Sequence, residues 1–404
     1  MDYYFYIALI LILSQLLFLS EIRRNYRYAL SKHKKKRDTY QPRTALIVPC
    51  KGLEPAFEVN IASFFNQDYD DYLLWFVVAD KADPAYDHLC RLKNQLSGSS
   101  KARDVQIFVA GQGQFCSQKI HNLLYCYERI GDDVEVMAFA DSDACIRPDW
   151  LSQIVHFLRD PKLGATSGYR WFVPKNNNLA SLALSAINAK VVQLLGPGRF
   201  NQAWGGSMAI RVEVFRQIGL DKIWPKAFSD DFSLSSAVKE AGLIVAYVPA
   251  CLVASYVSVT WGELLRFARR QFLITRISAP RVWWFGLCGS LYSVLALWAG
   301  TALAVYAAAI GEENLRLFAA VPILFFVSQM GQAILRQRMA SKLLKKDRHK
   351  MKAACAADIL ACWIWSLLLL FFIISSAFGR TICWRGIRYK LLGPTKTTVL
   401  TRKG

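Results

Sequence analysis

The sequence is long, apolar and strongly basic, and these properties already exclude two classes of protein. It has 404 residues, of which 54% are hydrophobic, and its 50 Lys and Arg against 30 Asp and Glu give a net charge of +20. The 12 Trp, 17 Tyr and 24 Phe exclude a disordered chain. The excess charge falls in three short stretches, 21–43, 336–352 and 380–403, each carrying +7. In a nucleic-acid-binding protein the basic residues would instead line a groove of the folded domain, so no nucleic-acid partner is expected.

Each basic stretch adjoins a long run without charge, as the positive-inside rule describes for the cytoplasmic edges of membrane spans. About 20 residues are needed to cross a bilayer, so we predict an integral membrane protein in a bacterial inner membrane or a eukaryotic endomembrane. The first run lacks the preceding basic residues and the cleavage site of a signal peptide, which predicts an uncleaved anchor with its N-terminus outside. The uncharged runs are Tyr3–Ser20, Val282–Gly311, Leu317–Leu335 and Ile359–Gly379.

The charge pattern divides the chain into six segments. Because basic residues flank 359–379 on both sides, that segment is expected to be re-entrant or shallow, unless the tail after it lies across the membrane. The segments are an N-terminal transmembrane anchor (1–21), a basic cytoplasmic linker (22–43), a cytoplasmic catalytic domain (44–261), an interfacial amphipathic helix (262–281), a membrane region (282–379, with spans at about 283–310 and 317–335 and the apolar segment 359–379), and a basic C-terminal tail (380–404).

Short apolar runs within 44–261 end at turn residues, in the way that buried parallel strands do. Segments of helical length separate them, which predicts an α/β domain with a parallel sheet and crossover helices. Ligands bind beyond the carboxyl ends of the strands in such sheets, so Asp80 and Asp141, which directly follow two of the runs, are expected at a site. The runs are Ala45–Val48, Leu73–Ala79, Val105–Ala110 and Val134–Ala140.

The tripeptide Asp141-Ser142-Asp143 places two carboxylates on one turn after the last of these runs. Hard divalent cations prefer such oxygen ligands, and their remaining coordination positions suit diphosphate oxygens and water. We therefore predict that Asp141 and Asp143 bind Mg²⁺ or Mn²⁺. The alternative is a pair of surface turn aspartates, because the tripeptide also occurs by chance.

A second acidic pair, Asp230-Asp231, follows Ser229 and precedes a helical pattern over Ser233–Ala241. Carboxylates at this place cap a helix when they satisfy its free backbone donors. The functional alternative is a general base beside an acceptor hydroxyl, with a basicity set by neighbouring charge and partial burial. Taken alone, the pair favours capping.

The amphipathic segment 262–281 carries five arginines and one glutamate. Arg266, Arg269, Arg270 and, further along the segment, Arg276 are suited to clamp a diphosphate leaving group, because guanidinium forks match phosphate oxygens. Anionic lipid headgroups would explain the same residues.

Eight short motifs follow one another along the chain. They are Pro49-Cys50-Lys51-Gly52 with Glu54-Pro55; Asp80-x-x-Asp83-Pro84-Ala85; Gln118-Lys119-Ile120-His121-Asn122-Leu123; Asp141-Ser142 with Ile146-Arg147 and Pro148-Asp149; Gly206-Ser207-Met208; Asp230-Asp231-Phe232; Arg266-x-x-Arg269; and Cys383-Trp384-Arg385-Gly386 with Arg388-Tyr389. With this series the chain resembles the ceramide glucosyltransferase family, inverting membrane enzymes, over nearly its full length. The fold class that the resemblance implies is α/β, a GT-A (Rossmann-like) domain with transmembrane and interfacial helices.

The resemblance also implies roles for the matching residues. Asp80 would contact the uridine of a UDP-sugar, Asp141 would lie near its diphosphate and the metal ion, and Asp231 would deprotonate the acceptor hydroxyl. Arg266 and Arg269 would bind the donor from the family's Q/R-x-x-R-W signature. The remaining assignments are donor contacts at Lys119 and Asn122 and acceptor-side contacts at Asp230, Gly206, Ser207 and Arg270.

Two positions depart from the family pattern, since position 270 is Arg instead of Trp and position 143 is Asp instead of the usual Gly. The resemblance predicts transfer of one hexose, glucose from UDP-glucose, to ceramide or a similar membrane lipid. The departures keep open a hopanoid-associated or other bacterial lipid glycosyltransferase that uses UDP-N-acetylglucosamine. A processive polysaccharide synthase is less favoured, because it would need the intact signature and more spans. A transporter would have ionisable residues inside its spans, and the four uncharged runs have none.

Overall fold

The computed structural model of the chain describes residues 2–33, 40–54 and 56–402. Residues 34–39 of the basic linker, Pro55 of the first motif, and residues 403–404 lie outside the described residues. The first helix, α1 (Asp2–Lys32), contains the first uncharged run and continues without a break into the basic residues that follow it.

A mixed seven-stranded sheet forms the centre of the α/β domain. Its strands are β1 (Thr44–Pro49), β2 (Tyr72–Val78), β3 (Asp104–Val109), β4 (Val136–Ala140), β5 (Leu163–Pro174), β6 (Ser207–Arg211) and β7 (Ile244–Val257). They lie in the order β3-β2-β1-β4-β6-β5-β7, in which β6 is antiparallel to both neighbours and the other pairs are parallel. The prediction of four parallel strands is confirmed by β1 to β4.

Helices cover both faces of this sheet, because alternate strand residues are apolar on each face. In β1, Leu46 and Val48 belong to one buried cluster, whereas Ala45 and Ile47 belong to the other. The helices of the domain are α2 (Phe57–Phe65), α3 (Pro84–Leu96), α4 (Gln118–Tyr127), α5 (Trp150–His156), α6 (Leu179–Val192), α7 (Val212–Gln217), α8 (Leu220–Ile223) and α9 (Asp230–Glu240).

The carboxyl ends of β1, β2, β3 and β4 lie at one edge of the sheet, which sets the position of the site. Pro49 pairs with Val77, and Val78 pairs with Val109. Strand β6 starts from the same edge, because its first residue Ser207 pairs with Ala140 at the end of β4. The segments after these four strands and the glycines before β6 therefore meet.

Apolar helices follow the α/β domain. They are α10 (Trp261–Ser278), α11 (Pro280–Val294), α12 (Gly300–Ala309), α13 (Leu315–Leu343), α14 (Lys352–Leu360) and α15 (Cys362–Ser375), with a π-helical turn joining α11 to α12. Among the described residues, three helical stretches are long and apolar enough to cross a membrane: 4–32, 280–309 and 315–343. A fourth would be α14 with α15, but these two helices meet at an angle of 85°.

The segment expected as a basic tail is a folded sheet. Strands β8 (Thr381–Trp384), β9 (Ile387–Gly393) and β10 (Lys396–Arg402) pair antiparallel in the order β10-β9-β8. Along β9, Ile387, Tyr389 and Leu391 are buried and the basic residues between them are exposed, so a period of two hides the apolar face. This face packs on Phe228 and Leu273. The C-terminal sheet therefore packs against the α/β domain and α10, and the re-entrant arrangement of 359–379 stays a prediction.

A buried ion pair joins α13 to α14. Arg336 donates to both carboxylate oxygens of Asp358, through Nε at 2.7 Å and through Nη2, and Gln337 donates to Asp358 at 2.8 Å. Arg336 also donates to Gln193 Oε1 at 3.0 Å, at the end of α6. Arg336 belongs to the second basic stretch of the sequence, but its side chain is buried, and it connects α13 to α14 and to the end of α6.

Candidate active site

One lysine is shared by two carboxylates at the edge where the strands end. Lys119 lies in the first turn of α4, and its Nζ is 2.7 Å from Asp141 Oδ1 and 3.0 Å from Asp230 Oδ2. Asp141 directly follows β4, and Asp230 begins α9. With Asp143 and Asp231, these two aspartates form a set of four acids that we call the carboxylate cluster.

The cluster has more negative charge than Lys119 can balance, and the pKa values of its members diverge accordingly. Burial would lower the pKa of Lys119, but Asp141 and Asp230 raise it above its ordinary value. Burial would raise the pKa of Asp141, but Lys119 holds it below its ordinary value. Burial, with the charges of Asp231 and Asp141, raises the pKa of Asp230 to about 6 against the effect of Lys119. Of these two partners of Lys119, Asp141 is therefore the one that stays ionised.

The Asp231 side chain is more exposed to solvent than that of Asp230. Its Oδ1 accepts hydrogen bonds from the Phe232 amide at 2.8 Å and from the Ser229 hydroxyl, and its Oδ2 accepts one from the Gly205 amide at 3.2 Å. The side chain is half-buried, whereas Asp230 is only 6% exposed. Helix capping and a functional role are therefore compatible, because Ser229 caps α9 while one oxygen of Asp231 faces Gly205.

Two glycines before β6 permit the close approach of these groups. A Cβ atom on Gly205 would lie 2.2 Å from Asp230 Oδ2 and 2.6 Å from Lys119 Nζ, and one on Gly206 would lie 2.2 Å from the Trp204 ring. All three distances are shorter than van der Waals contact. A side chain at either position would therefore displace these groups from their present contacts.

Asp143 is the carboxylate with no partner in the cluster. It makes no hydrogen bond or ion pair with any residue that the structure describes, and burial, followed by the charge of Asp141, raises its pKa while Arg170 opposes this. A divalent cation would supply the missing positive charge, and the two carboxylates are the hard oxygen ligands that Mg²⁺ and Mn²⁺ accept. No group of three or more His, Cys, Asp or Glu in the described ranges could hold a metal ion. Two carboxylates fill only part of the coordination sphere of such a cation, so a cation bound here would need further oxygen ligands.

The donor-side residues taken from the motifs lie in two different settings. Asp80 is exposed on the turn after β2, where its Oδ1 accepts a hydrogen bond from the Ala82 amide at 3.0 Å. Asn122 is buried and donates to the Val77 carbonyl at 3.4 Å, while it accepts from Gln118 at 2.8 Å. Asn122 therefore stabilises the end of β2 through a buried hydrogen bond. The donor-binding roles of both residues stay predictions.

The C-terminal sheet is hydrogen-bonded to the loops around the site. Arg385 donates to the Lys51 carbonyl and to Glu54 Oε1 at 2.6 Å, and Lys51 Nζ donates back to the Arg385 carbonyl at 2.7 Å. At the other end of the sheet, Arg402 donates to Gln118 Oε1 at 3.1 Å and to the carbonyl of Gly113. These contacts fix the segments that follow β1 and β3.

Three of the four arginines of α10 have different surroundings. Arg266 is exposed, and Arg269 donates to the carbonyls of Ser375 and Phe378, both at 3.1 Å, which ties α10 to the end of α15. Arg270 is half-buried, and burial followed by the charge of Arg170 lowers its pKa to about 10. The donor-binding roles of Arg266 and Arg269 stay predictions, and Arg270 is the one of the three whose charge acts together with Arg170.

The acceptor-side assignments include one fully buried side chain. The Ser207 hydroxyl accepts a hydrogen bond from the Trp150 indole at 2.9 Å, and Ser207 is 0% exposed. The neighbouring Gly206 carbonyl accepts from the Asp141 amide at 3.4 Å. Both residues thus hold β4, β6 and α5 together, and their acceptor-side roles stay predictions.

Sequence reasoning missed Arg170, which lies on β5 near the carboxylate cluster. Its guanidinium carbon is 4.9 Å from the centre of the Phe172 ring and 5.4 Å from that of Trp204. No sequence motif includes this position, because Arg170 is a single residue within a strand whose side chains alternate between the two faces of the sheet. Only the fold brings it to the site.

The chain is similar to a known protein family over nearly its whole length. The family described as glycosyl transferase family 21 matches residues 3–397. A curated N-acetylglucosaminyltransferase of Rhizobium leguminosarum bv. viciae is 25% identical over 269 residues, which are 59% of this chain and 58% of that protein. The chain therefore matches less than two thirds of that relative's length.

Two solved structures are similar in overall arrangement. One is the mannosyltransferase PcManGT from Pyrobaculum calidifontis in complex with GDP-Man and Mn²⁺, with a TM-score of 0.47, 16% identity, and coverage of 93% of this chain and 97% of that one. The other is GalNAc-T7 with UDP, GalNAc and Mn²⁺, with a TM-score of 0.40, 11% identity, and coverage of 62% and 51%.

Proposed function

The chain belongs to glycosyl transferase family 21, and from this premise we propose that it transfers one hexose from a UDP-sugar to the hydroxyl of a membrane lipid, with inversion. The first candidate is glucose from UDP-glucose transferred to ceramide or a ceramide-like lipid. The observation that carries the proposal is the contrast within the acidic pair, in which Asp230 is buried against Lys119 while Asp231 is half-buried with an oxygen beside Gly205.

Asp231 is the general base in this proposal. Three donors hold its carboxylate in place, from Phe232, Ser229 and Gly205, and a base must be positioned before its basicity matters. It removes the proton of the acceptor hydroxyl as that oxygen attacks the anomeric carbon. The bond from that carbon to the diphosphate breaks on the opposite face, so a single displacement inverts the configuration.

Asp141 and Asp143 would hold the divalent cation, Mg²⁺ or Mn²⁺. When bound, the cation neutralises charge on the diphosphate as it departs. Lys119 keeps Asp141 ionised and oriented through the contact at 2.7 Å. Asp80, Asn122, Arg266 and Arg269 remain the proposed donor contacts, and Asp230, Gly206, Ser207 and Arg270 the proposed acceptor-side residues.

A lipid acceptor is supported by the elements next to the site. Helix α10 carries Arg269 and Arg270 and leads directly into α11, which begins a stretch long and apolar enough to cross a membrane. An acceptor can then present its hydroxyl at the bilayer surface while its chains remain in lipid. We propose that the α/β domain is cytoplasmic, because the basic residues that follow the first apolar run lie next to it.

A second candidate is transfer of N-acetylglucosamine from UDP-N-acetylglucosamine to a hopanoid or other bacterial lipid. Two observations favour it: the curated relative is an N-acetylglucosaminyltransferase, and Arg270 and Asp143 replace the residues usual in ceramide enzymes.

The test pairs the purified protein with UDP-glucose and UDP-N-acetylglucosamine, a membrane lipid extract, and Mg²⁺ or Mn²⁺, and identifies the product by mass. Asp231→Asn should lose transfer by at least about a thousandfold while UDP binding is retained, because it removes only the base. Glu240→Gln, at the far end of the same helix, removes the same charge and should leave the rate unchanged. Turnover by Asp231→Asn at more than a tenth of the wild-type rate would refute the base assignment.

A further inference from the structure

Two arginines beside the carboxylate cluster have no acidic partner of their own. Arg170 lies on β5 and Arg270 on α10, and each guanidinium carbon is 5.5 Å from the centre of the Phe267 ring. Neither makes an ion pair with a carboxylate in the part of the chain that the structure describes. By contrast, Arg385 close by is paired with Glu54.

Aromatic rings hold these two guanidinium groups in place. Arg170 lies over Phe172 and Trp204 as well as over Phe267, and Arg270 lies over Phe267. A cation held over a ring face keeps its N–H groups free for other acceptors. The two arginines are thus oriented without using their hydrogen-bonding edges.

Their surroundings concentrate positive charge beside the carboxylate cluster. Burial, followed by the charges of Arg170 and Arg385, lowers the pKa of Arg270 to about 10. Arg170 lies close to the cluster, because its guanidinium carbon is 5.4 Å from the centre of the Trp204 ring and the next residue, Gly205, donates its amide to Asp231 at 3.2 Å. Half-buried guanidinium groups that repel one another are stabilised by an anion placed between them.

We propose that Arg170 and Arg270 together bind the diphosphate of the nucleotide sugar, beside the cation held by Asp141 and Asp143. This inference rests on the proposed function. As the bond between the anomeric carbon and the diphosphate oxygen breaks, its electron pair stays on that oxygen, and the two guanidinium groups donate hydrogen bonds to it. The proton of the acceptor goes to Asp231, so charge and atoms balance.

This inference assigns the diphosphate to Arg170 and Arg270, and Arg266 and Arg269 stay proposed contacts to the donor. Arg266 is exposed, and Arg269 donates to the carbonyls of Ser375 and Phe378. The inference places Arg270, which stands where the family has Trp, on the donor side instead of the acceptor side proposed above. A lipid phosphate has the same chemistry, but the proximity of Arg170 to the cation-binding carboxylates favours the donor.

The test compares the affinities of the full-length protein for UDP and for uridine, by titration calorimetry in nanodiscs of neutral phosphatidylcholine with Mn²⁺. Arg170→Gln and Arg270→Gln should each weaken UDP binding roughly tenfold or more, because each loses a charged hydrogen bond. Uridine binding should stay within about twofold of wild type, since uridine has no phosphate. The UDP affinity of Arg270→Lys should lie between those of wild type and Arg270→Gln, because lysine keeps the charge but lacks the forked guanidinium group.

Arg281→Gln at the exposed start of α11 is the matched control and should bind UDP as wild type does. Unchanged UDP affinity in both site variants would overturn the inference, and so would an equal loss of uridine binding. If the variants bind UDP normally but bind a soluble short-chain phosphatidylglycerol more weakly than wild type does, the pair serves a lipid phosphate and the inference is wrong. A wild-type protein that binds no UDP would instead refute the proposed function.

Discussion

The Arg336–Asp358 pair is fully buried and the carboxylate cluster is partly buried, and the charges of the two groups are balanced differently. In the pair, one guanidinium faces one carboxylate, and Gln337 completes the hydrogen bonds. In the cluster, Lys119 faces Asp141 and Asp230, and Asp143 has no partner among the described residues. A matched buried pair persists without a ligand, whereas surplus buried charge is costly until a counter-ion binds. The imbalance therefore distinguishes a ligand site from a contact that holds the fold.

Removing the single cation of the cluster should have the largest effect. Lys119→Met leaves Asp141 and Asp230 buried without a counter-charge, which typically costs about 3–5 kcal/mol, and it also removes the group that orients Asp141. We expect loss of transfer together with a lower melting temperature in detergent. Lys162→Met, on an exposed turn, is the control. A variant that is both active and stable would show that the cluster is not held by this lysine.

The matched pair should respond to mutation in a different way. Arg336→Met leaves Asp358 buried and unpaired and should lower stability by about 3–5 kcal/mol. Arg336→Met with Asp358→Leu should recover most of that loss, because neither charge then remains. The rate per folded molecule should stay near wild type in the double variant. A double variant as unstable as the single one would contradict the view that this pair serves only the fold.

Asp230 should give the cluster a dependence on pH. Its pKa in the folded protein is raised from 3.8 to about 6, so the folded chain binds a proton that the unfolded chain releases. The stability from this proton is complete below the unfolded pKa and is lost as the pH rises through the folded one, and it amounts to at most about 3 kcal/mol. Thermal unfolding of metal-free protein from about pH 4.5 to about 8 should show wild type losing stability relative to Asp230→Asn. If the stabilities of wild type and Asp230→Asn change with pH in the same way, a titration of Asp230 in this range is excluded.

The smallest effect is expected at Lys190, which lies beside the matched pair. Its Nζ donates to the Ser366 hydroxyl at 2.9 Å, and burial, followed by the charge of Arg336, lowers its pKa to about 7. Lys190→Met removes a charge that the site disfavours, so stability should stay within about 1 kcal/mol of wild type or rise. Melting temperatures of this variant and of Lys175→Met, an exposed control, would check it. A large loss would mean that Lys190 is an essential part of the pair.

The family, the fold class and the four parallel strands could be predicted from sequence, because each has a local signature. Apolar runs that stop at Asp80 and Asp141 mark strand ends, and the ordered motifs identify glycosyl transferase family 21. The α/β GT-A fold class is confirmed, and so is the resemblance to the ceramide glucosyltransferase family. These features depend on neighbours in the chain.

The rest depends on contacts between distant segments. Arg170 lies in the alternating pattern of a strand and carries no mark of its own. Arg336 belongs to a basic stretch, and only the position of Asp358 shows that it is buried. The charge of residues 380–403 indicated a basic tail at the membrane edge. A count of charges does not show the alternation of apolar and basic residues by which 381–402 form a sheet.

The turn between β8 and β9 places Arg385 and Gly386 at positive φ, at 47° and 78°, and it reaches Glu54 across 331 positions of sequence. During translation, the α/β domain and every apolar helix emerge from the ribosome before this turn is made. The segments that follow β1 and β3 are therefore synthesised early, but their contacts with the C-terminal sheet form late. A nascent chain that stops before residue 381 would already be in the membrane with those loops unheld, so the order of synthesis separates insertion from the completion of a working enzyme.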